Sequence, residues 1–445
     1  MAGRSQMEMD GAAFGGQNRC MADMQALTDT AAGARLDGLV HGRESGRESG
    51  RESGRESGRD LSVDYLRTTL TLMVLAHHSS LAYTSWAHFD REHLSRSTAP
   101  IVDAMRWAFF DYAENFNDVF FMSLMFFVSG LFVYPAIRKH GVVRFIRDRS
   151  LRLGVPFAFA VLVLMPIAYY ASWQLAGELS GRSVGFLEFY GQLARHGFPA
   201  GPPWFIWVLL AFDIGIALLL APLPKRMPSV GRGMERLKDH PVATFVGIFG
   251  LAALVYLPLL KAYGFGTWTV VVTSPFAFQI CRIGLYGMWF AFGVMVGVPG
   301  YARGLLARDG GLARNWPWWV LGCVAAYNAL WFVPKLAVFH ELPELARGAL
   351  EALLWVASCV ASSFGFLALF RGVEFRARGW MLSLCRCAYV MYLVHYVYVL
   401  WMQKLLLGEA YPAAVKFGLV FLATTLLSWV TAEGLLRVPG LKRIL

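Results

Sequence analysis

Residues 67–80 read "RTTLTLMVLAHHSS". Its central run, Leu70–Ala76, is apolar at every position but Thr71, yet the stretch holds Arg67 and the adjacent pair His77 and His78. Lipid penalises ionisable groups, so an apolar run that keeps them reads as a membrane helix facing a protein interior. A helix turns about 100° and rises about 1.5 Å per residue. The eleven steps from Arg67 to His78 therefore bring both to within about 20° of one face, about 16 Å apart. His77 points about 80° away from that face. Asp64 lies one turn before Arg67, within pairing reach. The bland readings are a snorkelling Arg67 near the span's end and a helix-packing His77. His78 sits deep in the span, where a functional role is the default reading.

The rest of the chain extends the pattern. Of 445 residues, 56% are hydrophobic and only 16% are charged, which is too apolar for a soluble protein. Repeated apolar runs of about 20 residues predict an all-α, polytopic integral membrane protein. About ten spans are expected, at 61–83, 116–136, 151–174, 203–223, 242–260, 276–298, 316–334, 346–370, 380–403 and 412–436. The net charge of +11 is distributed by topology. Arg138, Lys139, Arg144, Arg147 and Arg149 fall between the second and third spans, and Lys225, Arg226, Arg232, Arg236 and Lys238 between the fourth and fifth. Arg303, Arg308, Arg314, Arg371, Arg376, Arg378, Arg437, Lys442 and Arg443 fall in the later loops of the same side. The alternate loops carry far fewer. This is the positive-inside pattern with both termini cytoplasmic, and no nucleic-acid partner is needed to explain the charge.

Residues 1–58 differ. They include "RESGRESGRESGRESG" at 43–58, which cannot bury a core, and they are expected to be a disordered cytoplasmic tail without a signal peptide. Residues 59–445 then form one membrane domain with no extra soluble domain. Cys281, Cys323, Cys359, Cys385 and Cys387 have no zinc-like spacing, and no metal site is expected.

Other polar groups mark the spans. In the ninth, Tyr392 and His395 are three residues apart on one face. His395 lies about 15 residues into its span and His78 lies 17 into its own, so the two share a similar depth. Ser129–Gly130 in the second span reads as a close helix approach. Arg149 and Arg152 read either as membrane anchoring or as a phosphate clamp. Asp213 and Arg282 read as structural pairs or site walls, Asn328 and Glu433 as structural. Trp204, Trp207 and Tyr398 suit either a membrane interface or stacking on a sugar.

Taken in order, these motifs resemble the membrane acyltransferase 3 family. That family opens with an Arg, ten residues, then a His, matched by Arg67 and His78. Its Phe-Phe-x-Ser-Gly pattern is matched by Phe126, Phe127, Ser129 and Gly130, and its Arg-x-x-Arg by Arg149 and Arg152. A Pro-x-Trp-Phe-type stretch is matched by "GPPWFIWVLL" from Gly201, and a late Tyr-x-x-His by Tyr392 and His395. The resemblance covers about residues 59–440 and is nearest in style to the branch containing glucan biosynthesis protein C. It implies transfer of an acetyl or succinyl-type group from acyl-CoA, as co-substrate rather than bound cofactor, to a carbohydrate or glycan hydroxyl. The setting it implies is a bacterial inner membrane. His78 is then the expected general base, with His395 as a second catalytic candidate. Arg67, Arg149 and Arg152 would hold the donor, and Tyr392, Trp204 and Ser129 the acceptor. His78 lies toward the far side and CoA enters from the cytoplasm, so an extended pantetheine arm would thread the bundle. Some relatives carry an extracytoplasmic hydrolase-like domain, and none is expected here.

Two other functions fit single features. An exporter of a glycan or lipid-linked substrate would also use buried Arg, His and Asp, but the two matched halves common among transporters are not visible. A membrane scaffold would need neither Arg67 nor His78.

Overall fold

The structure is a computed structural model. It describes residues 60–90, 99–183, 185–224, 226–271, 274–441 and 444. The expected tail of residues 1–58 lies outside these, as do Lys225, Lys442 and Arg443. The described residues are 77% helical with one two-stranded ribbon, so the class is α-helical. Among the described residues, seven helices are long and apolar enough to cross a membrane, fewer than the ten spans expected.

Among the described residues, thirteen helices of eight residues or more organise the domain: α1 (Leu61–Ser80), α2 (Ala108–Gly130), α3 (Val133–His140), α4 (Val142–Leu179), α5 (Phe186–His196), α6 (Trp204–Leu220), α7 (Met227–Arg236), α8 (Pro241–Tyr263), α9 (Ile280–Gly297), α10 (Trp316–Phe332), α11 (Glu344–Gly372), α12 (Gly379–Leu405) and α13 (Ala413–Leu436). The antiparallel strands β1 (Trp268–Val270) and β2 (Ala277–Gln279) join α8 to α9. Each of the ten expected spans falls largely on one of these helices.

Two expectations of extent change. The second expected span begins at residue 116, but α2 starts at Ala108. Its first turns carry Asp111 and Glu114, which look like loop residues until their partners Ser85 and His77 are seen. The basic residues 138–149 form helix rather than loop, broken only at Gly141 with φ of 79°.

The centre is α1. It packs against α2, α11, α12 and α13 and buries most of its length. Asp60 caps its first turn by accepting from the Ser62 backbone N–H at 3.2 Å. The same carboxylate pairs with Arg371 of α11 and with Arg308, which ties this end of the bundle together. At the Ser80 end, Asp103 forms a fully buried ion pair with Lys416 of α13 at 2.7 Å. Its backbone N–H also bonds to the carbonyl of Ala82. Residues 99–107 are thus drawn back over that end.

Helices α2 and α9 meet through glycine. A Cβ on Gly130 would fall 2.4 Å from the carbonyl oxygen of Phe290. On Gly293 and Gly297 it would fall 2.0 Å and 2.1 Å from those of Phe127 and Leu131. This Gly-x-x-x-Gly pair lets the two backbones touch, as membrane helices require when no water drives them together. By contrast α8 and α13 leave most of their apolar surface outward, as lipid-facing helices do.

Helix α4 holds two π turns, Ser150–Gly154 and Ala160–Leu164, each just ahead of a proline. Pro156 and Pro166 have no N–H, so the carbonyls of Arg152 and Leu162 lose their helical donors. Phenols replace them: Tyr389 of α12 donates to Arg152 at 2.9 Å and Tyr190 of α5 to Leu162 at 3.3 Å. The fold therefore places the Arg-x-x-Arg motif at an interrupted helix, supported from α12.

Candidate functional site

Helix α12 is the spine of the site. Reading along it, Cys385 Sγ lies 3.0 Å from the Thr68 hydroxyl of α1. Tyr389 bonds to Arg152 as described, and Tyr392 donates to the carbonyl of Pro202 at 2.5 Å, just before α6. Further on, Gln403 donates to the carbonyl of His78 at 3.0 Å. These contacts run parallel along α1 and α12, so side chains of equal depth meet.

His78 and His395 are such a pair. Their ring centroids are 5.4 Å apart and both residues are buried. His395 Nδ1 is 2.5 Å from the carbonyl oxygen of Tyr392. A carbonyl only accepts, so Nδ1 carries the proton and Nε2 keeps its lone pair. The edge of Tyr396 packs on His78 at 5.0 Å, and Tyr169 of α4 packs behind it at 5.7 Å. The two imidazoles are thus enclosed by phenols, in a setting where one can take a proton and the other can orient or relay it.

The remaining candidates are spread around this centre. Arg67 is buried, with its guanidinium 5.6 Å from the ring centroid of Phe132. Arg149 is buried against a carboxylate on α6, with Nε 3.4 Å from Asp213 Oδ2, and its guanidinium lies over Phe145. Arg152 is half-buried in the first π turn. Ser129 is buried on α2 beside the glycine contact with α9. Trp204 is fully enclosed, edge-on to Trp268 at 5.1 Å and 6.0 Å from Tyr286. Phe126 packs 4.1 Å from Phe205, joining the Ser129 segment to the start of α6. Trp207 donates to the carbonyl of Ala277, and Tyr398 bonds to Thr431. Asn328 bonds to Tyr112, and Glu433 pairs with Arg386.

One cluster does not emerge from the sequence as a unit. His77 turns away from His78 toward α2, with Nε2 3.5 Å from Glu114 Oε1. One turn on, Asp118 takes a two-pronged bond from Arg282 of α9, at 2.7 and 2.5 Å. The offset of about 100° between the neighbouring His77 and His78 holds the signal that the two rings serve different neighbours. Glu114 escapes a hydropathy reading because residues 108–115 do not look like span, whereas Asp118 falls inside the expected second span and only its pairing with Arg282 is hidden. Among the described residues, no three His, Cys, Asp or Glu side chains gather as a metal site.

Buried bases and buried arginines inside a bundle of apolar helices fit a membrane-embedded enzyme that handles a polar group. Residues 60–433 match the model of the acyltransferase 3 family, described as an acyltransferase domain, and the chain belongs to that family. It is an acyltransferase. No curated protein and no solved structure matches the chain.

Proposed function

We propose that the protein moves an acetyl or succinyl-type group from acyl-CoA to a hydroxyl of a carbohydrate or glycan, with His78 as general base. The observation that carries this reading is the facing pair of buried imidazoles, one with its tautomer fixed by a backbone carbonyl. His78 takes the proton of the acceptor hydroxyl as its oxygen attacks the thioester carbonyl carbon. The C–O bond forms, the C–S bond breaks, and the leaving thiolate recovers the proton to give free CoA thiol. His395 holds His78 in place and shares the charge.

The donor enters from the basic side, where Arg149 and Arg152 bind its phosphates and Arg67 contacts it further in. Arg suits phosphate because its planar fork gives paired bonds. Tyr392, Trp204 and Ser129 shape the acceptor side. Ten helices cross a bacterial inner membrane in this reading, with both termini in the cytoplasm, because basic residues concentrate on one side. The likeness of "RDRSLRLGVPF" and "PPWFIWVLLAFD" supports placing the chain near the branch of glucan biosynthesis protein C.

The test is thiol release from acetyl-CoA and succinyl-CoA by purified protein with a cell-envelope glycan extract. Release that the His78→Ala variant loses while still folded is the expected result. A carrier or scaffold would bind or move its ligand without consuming the thioester.

A further inference from the structure

We propose that His77 and Glu114 form the hydroxyl-gripping part of the acceptor site, and hence that the acceptor is a neutral, polyhydroxylated molecule held on the α2 side of His78. The proposal rests on the acyl-transfer reading above and adds to it a location for the acceptor and the neutrality of the part held there.

The His77 ring is fully enclosed, yet among the described residues neither of its nitrogens makes a hydrogen bond of good geometry, the Glu114 backbone offering only a weak contact. Buried polar groups are ordinarily paired, and an unpaired one calls for an explanation. The contact of 3.5 Å between Nε2 and Glu114 is an ion-pair separation and too long for a good N–H···O bond. The ring can therefore offer one donor and one acceptor to a ligand, the combination that a hydroxyl satisfies from either side.

The carboxylates support this. The side chains of Glu114 and Asp118 are 11% and 10% exposed, whereas those of His77 and Arg282 are 0% and 3%. Solvent thus touches the two acids and hardly their partners. Both Asp118 oxygens are taken by Arg282, which offsets one negative charge. Glu114 brings the second charge, leaving the cluster net negative when His77 is neutral. A carboxylate accepts strong hydrogen bonds from hydroxyls and repels phosphate, so this side disfavours the anionic donor and favours a neutral polyol.

Aromatic rings flank Arg282. Arg282 lies over Phe265 at 4.7 Å and Trp355 at 5.0 Å, and Trp355 stacks on Tyr256 at 4.5 Å. The indole nitrogen of Trp355 is also buried without a partner among the described residues. Apolar faces beside a few convergent polar groups are the usual make-up of a small-molecule site. The His77 and His78 rings are 5.3 Å apart, so a hydroxyl beside the one held by His77 reaches His78.

The test measures binding rather than turnover. The full-length protein in nanodiscs is titrated with glucose, an α-linked glucose trisaccharide and a β-linked glucose trisaccharide, followed by tryptophan fluorescence and saturation-transfer NMR. The native protein should bind at least one saturably, and Glu114→Gln and His77→Asn should each weaken binding about tenfold or more, since each removes a strong hydrogen bond. If Glu114→Gln does not fold, His77→Asn decides alone. Binding that both folded variants retain unchanged overturns the proposal, as does a native protein that binds none of the three sugars. Sugar binding lost in the variants, from a native protein that never releases thiol from acyl-CoA, supports this site and overturns the transfer reading instead.

Discussion

The Nδ1 proton of His395 goes to the carbonyl of Tyr392, three residues back on the same helix, at 2.5 Å. That one bond decides which nitrogen of His395 is basic. The His395→Asn variant keeps a donor near Nδ1 and removes Nε2. It should unfold within about 1 kcal/mol of the native protein, since the bond to Tyr392 is retained. Its thiol release should fall about tenfold or more. Thermal unfolding and the release assay on one preparation separate the two effects, and full turnover in this variant would show that Nε2 takes no part.

Arg149 and Asp213 are 5% and 0% exposed in their side chains, so removing one partner strands a buried charge. Arg149→Leu should destabilise by about 3–5 kcal/mol, and Arg149→Leu with Asp213→Leu should recover most of that. If Arg149 also holds the donor, the double variant stays weak in acetyl-CoA binding by calorimetry despite its restored stability. Native affinity in the double variant would reduce Arg149 to a structural role.

Gly293 allows the closest backbone approach between α2 and α9. Gly293→Ala should cost more than about 2 kcal/mol, because the new methyl meets the Phe127 carbonyl carbon and oxygen, which belong to a rigid helix. Gly247→Ala on α8 meets nothing within 4 Å and should be neutral or slightly stabilising. Thermal midpoints in the same detergent compare the two directly.

Burial alone would raise the pKa of Asp60, but hydrogen bonds from Arg371 and Ser62 outweigh it and lower the pKa from 3.8 to about 2. A carboxyl lowered in the folded state stabilises above its unfolded value and loses that effect as pH falls through the folded one. The bundle should therefore be stable above about pH 4 and lose about 1–2 kcal/mol between about pH 4 and 2. Asp60→Asn should lack that part of the acid transition in a pH-resolved unfolding series.

Polar groups are legible in the sequence because they stand out on an apolar background. Arg67 and His78 mark α1 by spacing alone, and counting residues from the span starts places His395 near the depth of His78. Facing and pairing are less legible. The start of α2 looks like loop because Glu114 finds its partner on α1, and Asp118, already inside the expected span, finds its own on α9, 164 residues away. The π turn at Ser150–Gly154 follows from Pro156 and the phenol of Tyr389, and spacing rules for a regular helix do not anticipate it. For this reason Arg149 and Arg152, expected side by side, have different surroundings: one meets Asp213 and the other lies in the turn.

Whether an acyl group changes hands at His78 is settled by following carbon-14 acetyl from acetyl-CoA onto a cell-envelope glycan. Proteoliposomes of the native protein are compared with those of His78→Ala. The native protein should label the glycan, and the folded variant should lose about 10²–10⁴-fold of that labelling. Equal labelling by the two proteins would mean that His78 is not the base.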